Sequence, residues 1–249
     1  MNARLFAIPA SHPSWAARLM LERKGIAYKR VDLVAGVHRP ILRAARFPGV
    51  TVPALILDGR RIQGTGAIAR ELDRVVPEPP LLPADPAQRA RVEEAERWGD
   101  EELQPVPRRL AWNMLRRDRA PVRGYLEGSR TGLPVAVAAA TAGPIIALAA
   151  KLNSADDDSV RADLAALPAM ADHVDRLIAE GVIGGAEPNV ADYQIATSIA
   201  LLLTMEDVRP LFAGRPGGEL ARRLVPGFPG HVPPALPAEW LEPVTAARP

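Results

Sequence analysis

Two hydroxyl residues, Ser11 and Ser14, stand three positions apart in the run Ala10-Ser11-His12-Pro13-Ser14, between the apolar stretch Leu5-Phe6-Ala7-Ile8 and a helical pattern. Pro13 suits the first turn of a helix, where a missing N–H costs no hydrogen bond. Ser11 is therefore expected at a helix N-terminus, where unpaired N–H groups and the positive end of the helix dipole favour an anion. The loop has the spacing of a Cys-x-x-Cys redox motif with both thiols replaced by hydroxyls. That excludes disulfide exchange at this loop but leaves open the binding of a thiolate supplied by a ligand. A plain helix cap is an equally good use of Ser11. His12 cannot act as base on the hydroxyl of its own neighbour without strained geometry, so no Ser-His-acid triad is supported, and His12 is read as a loop residue lining the site.

The remaining chemistry is narrowed by what the chain lacks. There is no cysteine among the 249 residues, which removes disulfides, thiolate metal ligands and a cysteine nucleophile. The four histidines lie far apart with no metal-ligand spacing, and no glycine-rich phosphate loop occurs. No metal is expected. The formal net charge is +2, and basic residues alternate with acids, as in Glu93-Glu94-Ala95-Glu96-Arg97, so no nucleic-acid partner is expected. The N-terminal residues do not resemble a signal peptide, which makes the cytoplasm the expected location. Leu133 to Ala150 is almost wholly apolar, but it is rich in alanine and broken by Gly143-Pro144, so a buried helix pair is expected there and no membrane partner.

The elements that must position Ser11 follow from pattern. The strand ending at Ile8 and the helix ending at Lys24 lead through Gly25, suited to a left-handed C-cap, into a second strand over Tyr28 to Val34. A right-handed crossover makes this pair parallel. His38 to Arg46 reads as a short basic helix in which Arg39 and Arg43 could meet a carboxylate or simply face water. Asp58-Gly59 between two strand-like runs predicts a hairpin, and Thr65 begins the next helix, as a cap or as part of a site. Val76 to Pro83 is a proline-rich connector. A long helix is expected from Asp85-Pro86 through Glu102, broken at Pro105 and Pro107, then resuming from Arg108 to Asp118 with Trp112 facing either the core or the interdomain cleft. Asp158 to Glu180 reads as one helix or two divided at Pro168. Asn189-Val190-Ala191-Asp192 predicts a capping box before a buried helix, which gives Asp192 a structural role.

Ser11-x-x-Ser14-Trp15 followed by Ala17-Arg18, Leu21 and Lys24-Gly25-Ile26-x-Tyr28 resembles the start of a serine-type, bacterial glutathione S-transferase. Val52-Pro53, Thr65-Gly66-Ala67-Ile68 and the Asn189 corner resemble later signatures of that family. The resemblance implies an α/β plus all-α fold class: a thioredoxin-like N-terminal domain at 1–76, a linker at 77–85, a helical-bundle C-terminal domain at 86–225 and an extended or disordered proline-rich tail at 226–249. It implies that Ser11 donates its hydroxyl to the glutathione sulfur. It also implies a cis Val52–Pro53 bond, with the Val52 backbone pairing the cysteinyl segment. Thr65 takes the place of the family's serine at the γ-glutamyl end, whereas the acid expected before it is replaced by Gly64, with Gln63 one residue early. Arg39 would complete the thiol-binding set, and His12 and Trp112 would flank the second substrate. The implied co-substrate is glutathione or another small thiol, the implied partners are a hydrophobic electrophile and a second copy of the chain, and the implied reaction is attack of the activated thiolate on the electrophile. A ligand-binding or scaffolding protein of the same fold, and a thiol-dependent isomerase or dehalogenase, are the alternatives.

Overall fold

Strand β1 (Ala3–Ala7) lies inside a four-stranded sheet of order β2-β1-β3-β4, in a computed structural model that describes residues 1–247. Its neighbour β2 (Tyr28–Asp32) runs parallel, with Leu5 opposite Arg30. On its other side β3 (Ala54–Leu57) runs antiparallel, with Leu5 opposite Leu55, and pairs in turn with β4 (Arg60–Gln63). Successive β1 side chains point to opposite faces, so Leu5 joins the main core while Phe6 joins a smaller one with Leu33, Leu42 and Phe47. The β3–β4 turn has φ of 46° at Asp58 and 86° at Gly59, the positive pair that a two-residue hairpin requires.

Helix α1 (His12–Arg23) connects the parallel strands, and its end is closed as the sequence suggests. Gly25 N–H donates to the Glu22 carbonyl and Ile26 N–H to the Leu21 carbonyl, both at 3.0 Å, with Gly25 at φ 63°. Helix α2 (His38–Ala44) buries Leu42 beneath the sheet, and α3 (Thr65–Val75) packs with α1 on the opposite face. Gly64, at φ 88°, occupies the cap position of α3, and no side chain caps that helix; Thr65 is its first residue, not its cap.

The proline-rich connector is pinned rather than loose. The fully buried ammonium of Lys24 pairs with Asp73 at 2.6 Å and donates to the carbonyls of Val76 and Pro79 at 2.7 and 2.6 Å. The same Asp73 carboxylate accepts from the N–H groups of Leu81 and Leu82.

The helical part begins with α4 (Pro86–Trp98), capped by Asp85, whose carboxylate accepts from Gln88 N–H at 2.8 Å. Residues 99–103 widen into a π-type turn, and α5 (Pro105–Arg117) follows directly. Pro105 and Pro107 thus do not interrupt a helix; they sit in the first turn of α5, where N–H groups have no acceptor to lose. Short helices α6 (Val122–Tyr125), α7 (Val135–Ala140) and α8 (Gly143–Leu152) precede α9 (Asp157–Ala179), which runs unbroken through Pro168. Helix α10 (Val190–Leu203) is buried from Val190 to Leu202 and forms the centre of the bundle. Its capping box is complete: Asn189 accepts from the N–H groups of Ala191 and Asp192, and Asp192 accepts from those of Asn189 and Gly184.

Two expectations are corrected. The apolar stretch from Leu133 does form a helix pair, but α7 buries none of its side chains, and Leu133, Val137 and Leu148 are 51%, 50% and 46% exposed. A small alanine helix has too little side chain to reach a core on one face while walling a groove on the other. Among the described residues no helix is long and apolar enough to cross a membrane. The segment after Pro226 is not simply extended: Val232 bridges to Met205, Asp207 accepts from the N–H groups of Ala235 and Leu236, and α11 (Pro216–Leu224) is followed by α12 (Glu242–Ala246), which buries Val244. Arg248 and Pro249, the end of that expected tail, lie outside the described residues.

Candidate active site

Ser11 caps α1, with φ −70° and ψ 111°, and its side-chain oxygen accepts from the Ser14 N–H at 3.4 Å and the Ser14 hydroxyl at 3.0 Å. Both acceptor positions of the oxygen are thereby taken, and its own proton is left to donate elsewhere. Ser11 lines a cavity of about 290 Å³ at the junction of the sheet domain and the helices. Val34, Arg39 and Val52 bound it on the sheet side, and Arg108, Trp112 and Ile145 on the helical side. The cap role and the groove-lining position therefore coexist in one residue.

His12 lines the same cavity and is only 2% exposed. Burial first, and the Arg108 charge second, push its imidazole down to about 3, while a hydrogen bond with the Gln104 backbone acts weakly the other way. The ring is neutral at physiological pH, and its Nε2 has no hydrogen-bond partner among the described residues.

The Val52–Pro53 bond is cis. Val52 borders the cavity, and among the described residues its N–H and C=O form no backbone hydrogen bond. Pro53 lies behind it, buried, with its carbonyl accepting from Gly64 N–H at 3.0 Å. Gln63, Gly64 and Thr65 do not line the cavity. The Gln63 amide is engaged at both ends, accepting from Gly49 N–H and donating to the Thr51 carbonyl, each at 2.6 Å. That side chain holds the loop before Val52 in place, with one amide N–H and one oxygen lone pair committed to it. Thr65 is 6% exposed. Arg39 is exposed on α2 at the cavity edge, and Trp112, left between core and cleft by the sequence, stands in the cavity wall.

One lining residue escaped the sequence reading altogether. Arg108 shares a stripe of α5 with Ala111, Trp112 and Leu115, all bordering the cavity. The spacing of i, i+3, i+4 and i+7 is that of a single helix face, and a charged residue in series with apolar ones was the available signal.

A thioredoxin-like sheet domain joined to a helical bundle, with a helix-capping hydroxyl, a cis-proline and a groove between the two parts, defines the architectural class of the protein. Residues 5–80 match the family model of the glutathione S-transferase N-terminal domain. The chain is 35% identical over 88 residues to a probable maleylacetoacetate isomerase of Caenorhabditis elegans, covering 34% of this chain and 41% of that protein. It is 39% identical over 84 residues to a maleylacetoacetate isomerase of Rhizobium meliloti, covering 33% and 39%. The match thus spans about two fifths of the length of these curated relatives. Among solved structures, the theta class glutathione S-transferase of Xanthomonas axonopodis pv. citri with glutathione bound superposes with a TM-score of 0.63 at 20% identity, over 91% of this chain and 94% of that one. Residues 5–80 thus resemble the N-terminal domain of the glutathione S-transferases, and the chain as a whole has the fold of that solved structure.

Proposed function

We propose that this protein binds glutathione, or a closely related small thiol, in the cavity beside Ser11 and activates it as thiolate for attack on an electrophilic carbon held against the helical wall. The observation that carries the reading is the state of the Ser11 hydroxyl: its oxygen is occupied by Ser14 and its proton is unassigned, at the open end of a helix in a groove between two domains. A donated hydrogen bond, together with the positive end of α1, stabilises a sulfur anion over its thiol. A thiol of ordinary pKa, about 8.5, needs about two units of lowering to be mostly ionised at neutral pH, at about 1.4 kcal/mol per unit. One charge-assisted hydrogen bond of about 1.5–3 kcal/mol supplies that. The unpaired Val52 backbone supports the same reading, since it can add the thiol's peptide segment as a short strand. With Gln63 engaged and Gly64 bare, the acceptor for the ammonium of a γ-glutamyl group is left to the Glu96 carboxylate, which lies beside Gly66 and pairs with Arg70, or to a partner protomer. A homodimer and a cytoplasmic setting accompany this proposal.

The test is glutathione conjugation by the parent and by Ser11→Ala. The variant is expected to lose about tenfold or more in rate at neutral pH while still binding glutathione by calorimetry, and to regain rate as pH rises toward the free thiol's range. Equal rates at neutral pH would remove Ser11 as the activator. Failure of the parent to bind glutathione at millimolar concentration would leave a ligand-binding or scaffolding role for the fold.

A second reading, a thiol-dependent cis–trans isomerase, is favoured by the names of the two curated relatives. Their similarity covers about a third of this chain, so it bears on only part of the molecule. A panel of cis-enone acids assayed with catalytic glutathione separates isomerisation from conjugation.

A further inference from the structure

The cavity contains a cation with no anion. Of the Arg108 guanidinium nitrogens, Nη1 donates to Gln104 Oε1 at 3.2 Å, and Nε is buried without a partner. No carboxylate forms an ion pair with Arg108 among the described residues, whereas the half-buried Arg23, Arg30, Arg109 and Arg215 each hold one and Arg18 lies instead over the Trp15 ring and donates to the Tyr28 hydroxyl. Burial and the neighbouring Arg109 both bear against its charge, and Asp100, which accepts from the same Gln104 amide, attracts it without pairing, yet a guanidinium remains protonated at any physiological pH. His12, its nearest titratable neighbour in the groove, is neutral. A half-satisfied guanidinium in an apolar groove is costly unless an anion arrives with the ligand.

The rest of the α5 stripe says what else that ligand carries. Ala111, Trp112 and Leu115 continue the groove wall from Arg108, and Ile145 and Ala149 of α8 also line the cavity. At 1.5 Å per residue, Arg108 to Leu115 spans about 10 Å. We propose that Arg108 is the specificity-determining residue for the electrophile, binding its carboxylate, and that the electrophile is an amphiphilic acid with an apolar body about 10 Å long lying between α5 and α8. This rests on the thiol-activation reading for its chemistry but not for its binding. Arg108 and Ser11 both adjoin His12, which places the electrophilic carbon close to the acid group, as in an aroyl-acrylic acid. The thiolate sulfur would form a bond to the alkene carbon next to the carboxylate, the alkene electrons would pass to the ketone oxygen as an enolate, and water would return a proton to the other alkene carbon.

Three proteins test this: the parent, Arg108→Met and Arg108→Lys, with equal denaturation midpoints as the folding control. Calorimetry without any thiol uses the unreactive 4-oxo-4-phenylbutanoate and its primary amide. The parent is expected to bind the acid at least tenfold more tightly than the amide, Arg108→Met to bring that ratio to about one, and Arg108→Lys to keep part of it. Glutathione conjugation of 4-oxo-4-phenylbut-2-enoate and its amide is then compared as kcat/KM, with the acid preference expected in KM and lost in Arg108→Met. A parent that binds acid and amide alike overturns the proposal without reference to any variant. So does an Arg108→Met protein that keeps the preference, or one whose pH profile shifts upward equally for both electrophiles, which would make Arg108 a partner of the thiolate. Selective acid binding without conjugation would leave Arg108 as assigned and refute the thiol-activation reading instead.

Discussion

His12 makes the acid stability of this protein quantitatively testable. Its imidazole is buried and held down to about 3, against about 6.5 in an unfolded chain. Between those two values the unfolded state binds a proton that the folded state refuses, so stability must fall as pH drops from 6.5 and level off below 3. From pH 7 to pH 5 the loss is about 2 kcal/mol, taking 1.36 kcal/mol per unit over the part of the window below the unfolded value. The perturbation is His12→Gln, which removes the titration while keeping a polar side chain. Urea or guanidinium melts of parent and variant at pH 7 and pH 5 give two differences, and their difference isolates His12. The half-buried His38 and His173, whose imidazoles burial also lowers, and the buried carboxyl of Asp192, which burial raises, are present in both proteins and cancel. The parent is expected to lose about 2 kcal/mol more than the variant across this range. If both lose the same amount, His12 is able to accept a proton in the folded state, and its description as a buried neutral ring is wrong.

Further expectations concern the scaffold around the site. Lys24→Met should cost about 3 kcal/mol in denaturant melts, because it leaves Asp73 and the linker carbonyls without the ammonium that gathers them. Gly64→Ala should cost about 1 kcal/mol from backbone strain alone, since φ is 88° and a Cβ there meets no atom within 4 Å; a neutral result would mean that the backbone relaxes. Val137→Ser should change stability by no more than about 0.5 kcal/mol, as befits an exposed residue of α7, whereas a loss above about 2 kcal/mol would restore the reading of that helix as core.

What could be read from the chain itself was what is decided locally. The Gly25 termination of α1, the Asp58-Gly59 hairpin, the Asp85 cap and the Asn189–Asp192 box each need only a few neighbouring residues, and each is found in place. The cis geometry before Pro53 came from family resemblance, since nothing in the local composition demands it. The errors have a common origin. Gln63 was expected to face a ligand, but it is engaged by Gly49 and Thr51, whose carbonyl and N–H positions depend on how the preceding loop folds back. Of the helix pair expected to be buried after Leu133, α8 does bury Ile146, Ala149 and Ala150, but α7 does not, because hydropathy does not distinguish a buried face from the rim of a groove. Arg108 passed unnoticed because a lone arginine on a helix is ordinary until the tertiary structure removes its anionic neighbours.

Ala138 of α7, Ala142 just before α8 and Ala149 of α8 border the cavity beside Ile145 and Trp112 and bring nothing longer than a methyl group to its helical side. Volume there can be subtracted in steps of one or two carbons by substitutions that touch neither the sheet nor the capping serine. A small combinatorial library at these three positions would therefore change the size and shape of the cavity while leaving Ser11, some hundred residues earlier in the chain, as it is.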